Sequence, residues 1–145
     1  MNRQSLLLLA VSLSACATAG TPANAPPPAQ LEPCLSAPRC VSSLGDDEHK
    51  VAPFKLAQAS GWSAVVEAVR AGERTTIVQD DAHYLHAEIV SPWHFYTDDL
   101  ELMLRADGKV EVRSSSRIGY YDFDVNRKRV EALREALVAK GVLSH

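Results

Sequence analysis

The chain has 145 residues and a formal net charge of −3, enough length for one hydrophobic core and none of the basic excess that a nucleic-acid binder carries. Its charge is unevenly placed. Residues 113–134 hold six Lys or Arg against three Asp or Glu, whereas Asp46, Asp47, Glu48, Asp80, Asp81, Asp98 and Asp99 lie upstream.

The chain opens with Arg3, the apolar run Leu6 to Leu13 and then LSAC ending at Cys16, the order of an export signal. Only about ten residues are continuously apolar or small, short of the roughly 20 that span a bilayer. Residues 13–16 resemble a bacterial lipobox. That resemblance implies a signal peptide over residues 1–15, cleavage before Cys16, and diacylglycerol on its thiol, with a second acyl group completing a stable anchor. The alternative is an ordinary signal peptide cut elsewhere. Ala17 follows the cysteine in place of Asp, which by resemblance to sorted lipoproteins implies the periplasmic face of the outer membrane.

Residues 16–33 form the lipidated cysteine and a tether with five prolines, poor in large apolar side chains and extended over up to ~50 Å. The folded domain is expected over residues 34–145. Cys34 and Cys40, five residues between them, read as a disulfide in an oxidising compartment rather than as a metal site, which would want four ligands. Redox chemistry would more typically use C-x-x-C.

A short strand over residues 52–57 precedes a helix over 60–72, whose Trp62, Val65, Val66 and Val69 repeat at helical spacing, with Ser60 to cap it and Gly72 to end it. Four alternating segments follow, at 73–79, 84–90, 99–106 and 109–116, the last two joined across Asp107-Gly108. Alternation puts Leu85, Ala87, Ile89, Leu100, Leu102, Leu104, Val110 and Val112 on one face. His86, Glu88, Glu101, Met103, Arg105, Lys109, Glu111, Arg113 and Ser115 take the other, which should be solvated and cross-linked by charge pairs. A last helix over 124–140 starts at Asp124 as N-cap, turns Asn126, Val130, Leu133 and Leu137 inward, and stops before Gly141. The order β-α-β-β-β-β-α predicts an α+β two-layer sandwich, an antiparallel meander of about five strands with both helices on one face.

The segments RCVSS at 39–43, YLHAE at 84–88, DDLEL at 98–102 and above all VRSSSRIGYYDFDVNRKRVEALR at 112–134 resemble the bacterial and plastid family called domain of unknown function 1499. The resemblance spans about residues 33 to 138 and implies one domain of that extent, but no agreed activity. Asp124 stands where the family pattern has glycine.

Two readings of the Arg-rich stretch compete. As a site, Arg113, Ser115, Arg117 and Arg127 with the amides of the last helix would receive a phosphate or carboxylate, from a lipid headgroup, a glycan acid or a phosphorylated metabolite. As a fastening, Asp98, Asp99, Glu101, Asp122 and Asn126 satisfy those arginines and stitch strands to helix. Trp93, Phe95 and Tyr96 in the turn at 91–99 would touch a membrane interface or an apolar ligand, against the alternative that the loop folds back over the core. No metal or cofactor is expected: His83 and His86 face opposite ways, His94 is in a turn, and His86 with Glu88 supplies two ligands where catalytic zinc needs three. Ser114 to Ser116, His86 and Asp98 can be assembled into a triad on paper, without a nucleophile-elbow motif.

The expected function is therefore a non-enzymatic, lipid-anchored envelope module that binds a ligand or partner near the membrane. One alternative is an enzyme or enzyme accessory acting on an anionic substrate through Arg113, Arg117 and Arg127. Another is a structural protein that docks through its polar sheet face or aromatic loop.

Overall fold

The computed structural model describes residues 25–34, 38–45, 48–93 and 95–144; the expected signal peptide, Cys16, residues 17–24, Asp46, Asp47 and His94 lie outside them. In chain order the elements are β1 (Cys40–Ser42), β2 (Phe54–Lys55), α1 (Gly61–Arg70), β3 (Thr75–Asp80), β4 (Tyr84–Val90), β5 (Thr97–Leu104), β6 (Lys109–Ser116) and α2 (Val125–Ala139). The expected order is present, with β1 added in front. The sheet runs β1-β6-β5-β4-β3, every named pair antiparallel, and β2 also pairs with β6.

The inward alternation predicted for the strands holds. Leu85, Ala87, Leu100, Leu102, Val110 and Val112 are buried with Val65, Val66 and Val69 of α1 and Val130 and Leu137 of α2, so one core lies between the sheet and both helices. The β5–β6 turn closes with Arg105 and Lys109 hydrogen-bonded and Gly108 at φ 80°, a left-handed position that suits glycine. At the end of α2, Gly141 at φ 66° donates to the Val138 carbonyl and Val142 to that of Leu137, the paired bonds that close a helix through a glycine.

Both helix starts differ from expectation. Ser60 is already in helical conformation and its hydroxyl caps nothing; instead the Gly61 amide donates to the Gln58 carbonyl. Asp124 makes no side-chain cap bond either, because Asp122 does that work: its carboxylate accepts from the amides of Asp124 and Asn126, both at 3.0 Å. Gly72 follows the end of α1 in a crowded turn, where a Cβ would stand 2.8 Å from Thr75 Oγ1.

The outer face of the sheet is not simply solvated. Residues 25–34 cross it as a strap, fixed at one edge by the Cys34–Cys40 disulfide to β1, with Cα atoms 5.6 Å apart, and at the other by Gln79 Nε2 donating to the Ala25 carbonyl at 2.8 Å. Arg105 holds the Ala29 carbonyl between them. Leu31, a lone large apolar residue in the proline-rich stretch, is fully buried against Tyr84 and Met103, two residues whose parity sends them outward. Chain ordering thus begins before Pro33, because Leu31 finds an apolar slot that covers Met103.

Truncating a buried Leu costs a transfer and a cavity term, whereas truncating one on a free tether costs nothing. Leu31→Ala is expected to lower the unfolding free energy by about 2 kcal/mol in urea denaturation; an unchanged midpoint would show that the strap does not pack.

Candidate functional site

Strand parity divides the motif at residues 113–117 between two sides of the sheet. Ser114 and Ser116 follow Val110 and Val112 inward, where they meet Asn126, completely buried in the first turn of α2. Asn126 Oδ1 accepts from Ser114 Oγ at 2.5 Å and Arg129 Nη1 at 2.7 Å. Its Nδ2 faces Ser116 Oγ at 2.9 Å, the Arg39 carbonyl at 3.0 Å and Asp122 Oδ2 at 2.7 Å. Arg129 continues to Asp98 Oδ2 at 2.5 Å, tying α2 to β5, and Arg39 Nε donates to the Ser116 carbonyl at 2.9 Å. Every donor and acceptor of the Asn126 amide is occupied, the condition under which a buried amide stabilises rather than costs.

Arg113 and Arg117 point outward. Arg113 Nη1 donates to Glu101 at 2.7 Å, and Tyr84 Oη donates to the other oxygen of that carboxylate at 2.8 Å. Arg117 grips Asp99 with Nε and Nη2 at 2.9 and 2.8 Å and reaches Glu88 at 2.5 Å, while His86 Nε2 lies 2.7 Å from Asp99 Oδ1. Two guanidiniums therefore face three carboxylates, Glu88, Asp99 and Glu101. That balance does not invite an anion.

Burial pushes the Asp99 carboxyl up, but the hydrogen bonds from His86 and Arg117 outweigh it and hold it at about 2. Burial, then the charge and hydrogen bond of Glu101, raise the Tyr84 phenol, which stays a donor. The hydrogen bond to Asp99 raises Arg117 further. Neither Asp99 nor Tyr84 is poised near neutral pH to exchange protons with a substrate.

The remaining predicted residues fall elsewhere. Ser115 lies on the outer face opposite Asp99 with no part in the inner cluster, and Arg127 donates to the carbonyls of Lys50, at 2.8 Å, and Glu48. Asp122 caps α2 and pairs with Asn126 rather than with an arginine. Ser114, Ser116, Arg129 and Arg39 are the members that sequence reasoning missed. Parity would have found the two serines, and Arg129 stands three residues beyond the inward Asn126, on the same helix face. Among the described residues, no group of three or more His, Cys, Asp or Glu is arranged to hold a metal ion.

The turn between β4 and β5 does not fold back over the core. Trp93 is 77% and Phe95 72% exposed, and Tyr96 is also exposed. Beside it, the β6–α2 connection displays Ile118, Tyr120, Tyr121 and Phe123, with Tyr120 83% and Phe123 76% exposed. The two loops are neighbours, because the Arg117 amide donates to the Thr97 carbonyl at 3.1 Å. Six of the nine aromatic residues thus stand exposed at one end of the sheet.

Residues 30–137 match the family model described as Protein of unknown function (DUF1499). The chain belongs to this family. No curated protein and no solved structure matches the chain.

The glycine that the resemblance implies for the family at position 124 would have a backbone reason here. Asp124 sits at φ 61° and Phe123 at φ 56°, two successive left-handed residues that cost roughly 1–2 kcal/mol each for side chains with a Cβ. Asp tolerates the region better than most; Phe123 does not, and its ring stands exposed.

Asp99 also sets a pH dependence. A carboxyl held below its usual 3.8 contributes stability that is present above that value and lost as pH falls through about 2. Between pH 4 and 2 the wild-type protein should lose about 2 kcal/mol more than Asp99→Asn does; parallel pH–stability curves for the two would dismiss the His86–Asp99–Arg117 cluster as a source of stability.

Proposed function

We propose that the protein is a lipid-anchored module of the cell envelope that binds rather than catalyses, held by diacylglycerol at Cys16 on the periplasmic face of the outer membrane. The anchor is supported by the export signal and the lipobox-like LSAC, and the disulfide accords with an oxidising compartment. No helix among the described residues is long and apolar enough to cross a membrane.

One observation carries the binding half of the reading. The polar residues that chemistry would recruit are bonded to one another in two networks, while large aromatic side chains are what the domain exposes. Exposed apolar patches of this kind mark contact surfaces more often than catalytic ones. The alternative, an anionic substrate held by Arg113, Arg117 and Arg127, has one point in its favour: Arg113 Nε is buried without a hydrogen-bond partner. The three carboxylates around Arg113 and Arg117 oppose it.

Fractionation of cells making the wild-type and Cys16→Ser chains tests the anchor. Labelled palmitate should enter the membrane-bound wild-type chain and be absent from Cys16→Ser, whose uncleaved signal can itself hold it on membranes; equal labelling of the two chains, or none in either, would refute lipidation at this residue.

A further inference from the structure

We infer that the exposed aromatic end is a second, reversible contact with the membrane that holds the anchor, its rings entering the headgroup interface. The inference rests on the reading of Cys16 as the lipidated residue.

Chemistry favours an interface over a dry pocket. The surface combines Trp93, Tyr96, Tyr120 and Tyr121, rings with a polar tip, with the apolar Phe95, Ile118 and Phe123. Amphipathic rings of this type collect at the headgroup level, where one end is apolar and the other wet. Tyr121 and Phe123 meet edge to face at 5.4 Å, and the Phe123 ring stands exposed at a left-handed backbone position. Lys128 Nζ donates to the Phe123 carbonyl and pins the same turn.

Geometry allows both contacts at once. Nine peptide steps separate Cys16 from Ala25, a reach of at most ~30 Å. Ala25 is fixed beside Gln79, which pairs with His86, and four more residues of β4 lead to Val90 at the aromatic end, ~13 Å further on. The strap leaves so short a tether that Ala25 stays within ~30 Å and the aromatic end within ~45 Å of the anchored surface, an effective concentration in the millimolar range. A weak interfacial contact is populated under those conditions.

Charge plays a small part. Arg39, Arg127 and Lys128 bond to backbone carbonyls, but Glu48, Asp122 and Asp124 lie among them. With three basic side chains against three acidic ones, the attraction is that of the rings, and binding should depend little on salt.

The test uses the full chain, lipidated and reconstituted into vesicles of phosphatidylethanolamine and phosphatidylglycerol, in a Trp62→Phe background that leaves Trp93 as the reporter. The protein should float with the vesicles, and Trp93 should be quenched by spin-labelled lipid and shielded from iodide. Floating protein whose Trp93 stays open to iodide, as it would if the surface served a protein partner, overturns the inference and leaves the anchor standing. Protein that fails to float but still shows lipid quenching at high vesicle concentration sinks the anchor and keeps the contact. As a second measure independent of the Trp62 change, the Cys16→Ser chain freed of residues 1–15 should bind added vesicles weakly, and Tyr120→Ser with Phe123→Ser should lower that affinity about tenfold. Equal affinity of the two chains would overturn the inference.

Discussion

The amide of Asn126 is the interaction on which the arrangement depends. Buried without a water-facing edge, it joins the C-terminal end of β6 through Ser114 and Ser116, the approach to β1 through the Arg39 carbonyl, and the cap of α2 through Asp122. Through Arg129 and Asp98 the same cluster reaches β5. A buried amide left half-bonded would cost the fold the full desolvation of its free group, so the surrounding residues are constrained together rather than one at a time. This accounts for the density of polar residues in a stretch that looks, in isolation, like a basic binding patch.

Strand parity then extends the constraint to the other side of the sheet. With Ser114 and Ser116 committed inward, Arg113 and Arg117 must face outward, opposite Glu101 and Asp99, and those carboxylates draw in Tyr84, His86 and Glu88. Above this layer lies the strap, whose Leu31 covers Tyr84 and Met103 and whose disulfide ends at β1, the strand that pairs with Arg113 to Ser115. Among the described residues, polar closure on both faces leaves the end of the sheet as the place where the exposed aromatic side chains gather. There the β4–β5 turn and the β6–α2 connection meet, and the aromatic rings of both stand exposed.

Much of this was legible in the chain. Period-two alternation located four strands and their inward residues because one face had to be buried, and the phase of Asn126, Val130, Leu133 and Leu137 set the last helix against them. What was not legible depended on tertiary neighbours. β1 is three residues long and exists because the edge of β6 is open to it. Leu31 looks solvated in a proline-rich run until Met103 is seen to need cover. Asp124 carries the residue type of a cap, yet its left-handed backbone turns that task over to Asp122 two residues earlier. The aromatic loops offered no local signal of whether they would pack or protrude, since either outcome suits the same residues.

The central claim is that the family motif closes the fold around one amide. Chemical denaturation of the full chain carrying Asn126→Ala tests it most directly. Removing the amide strands Ser114, Ser116 and Arg129 in a dry junction, so the unfolding free energy should fall by about 3 kcal/mol. A ligand-binding residue held at some cost to stability would behave differently: Asn126→Ala with unchanged or increased stability would contradict the account.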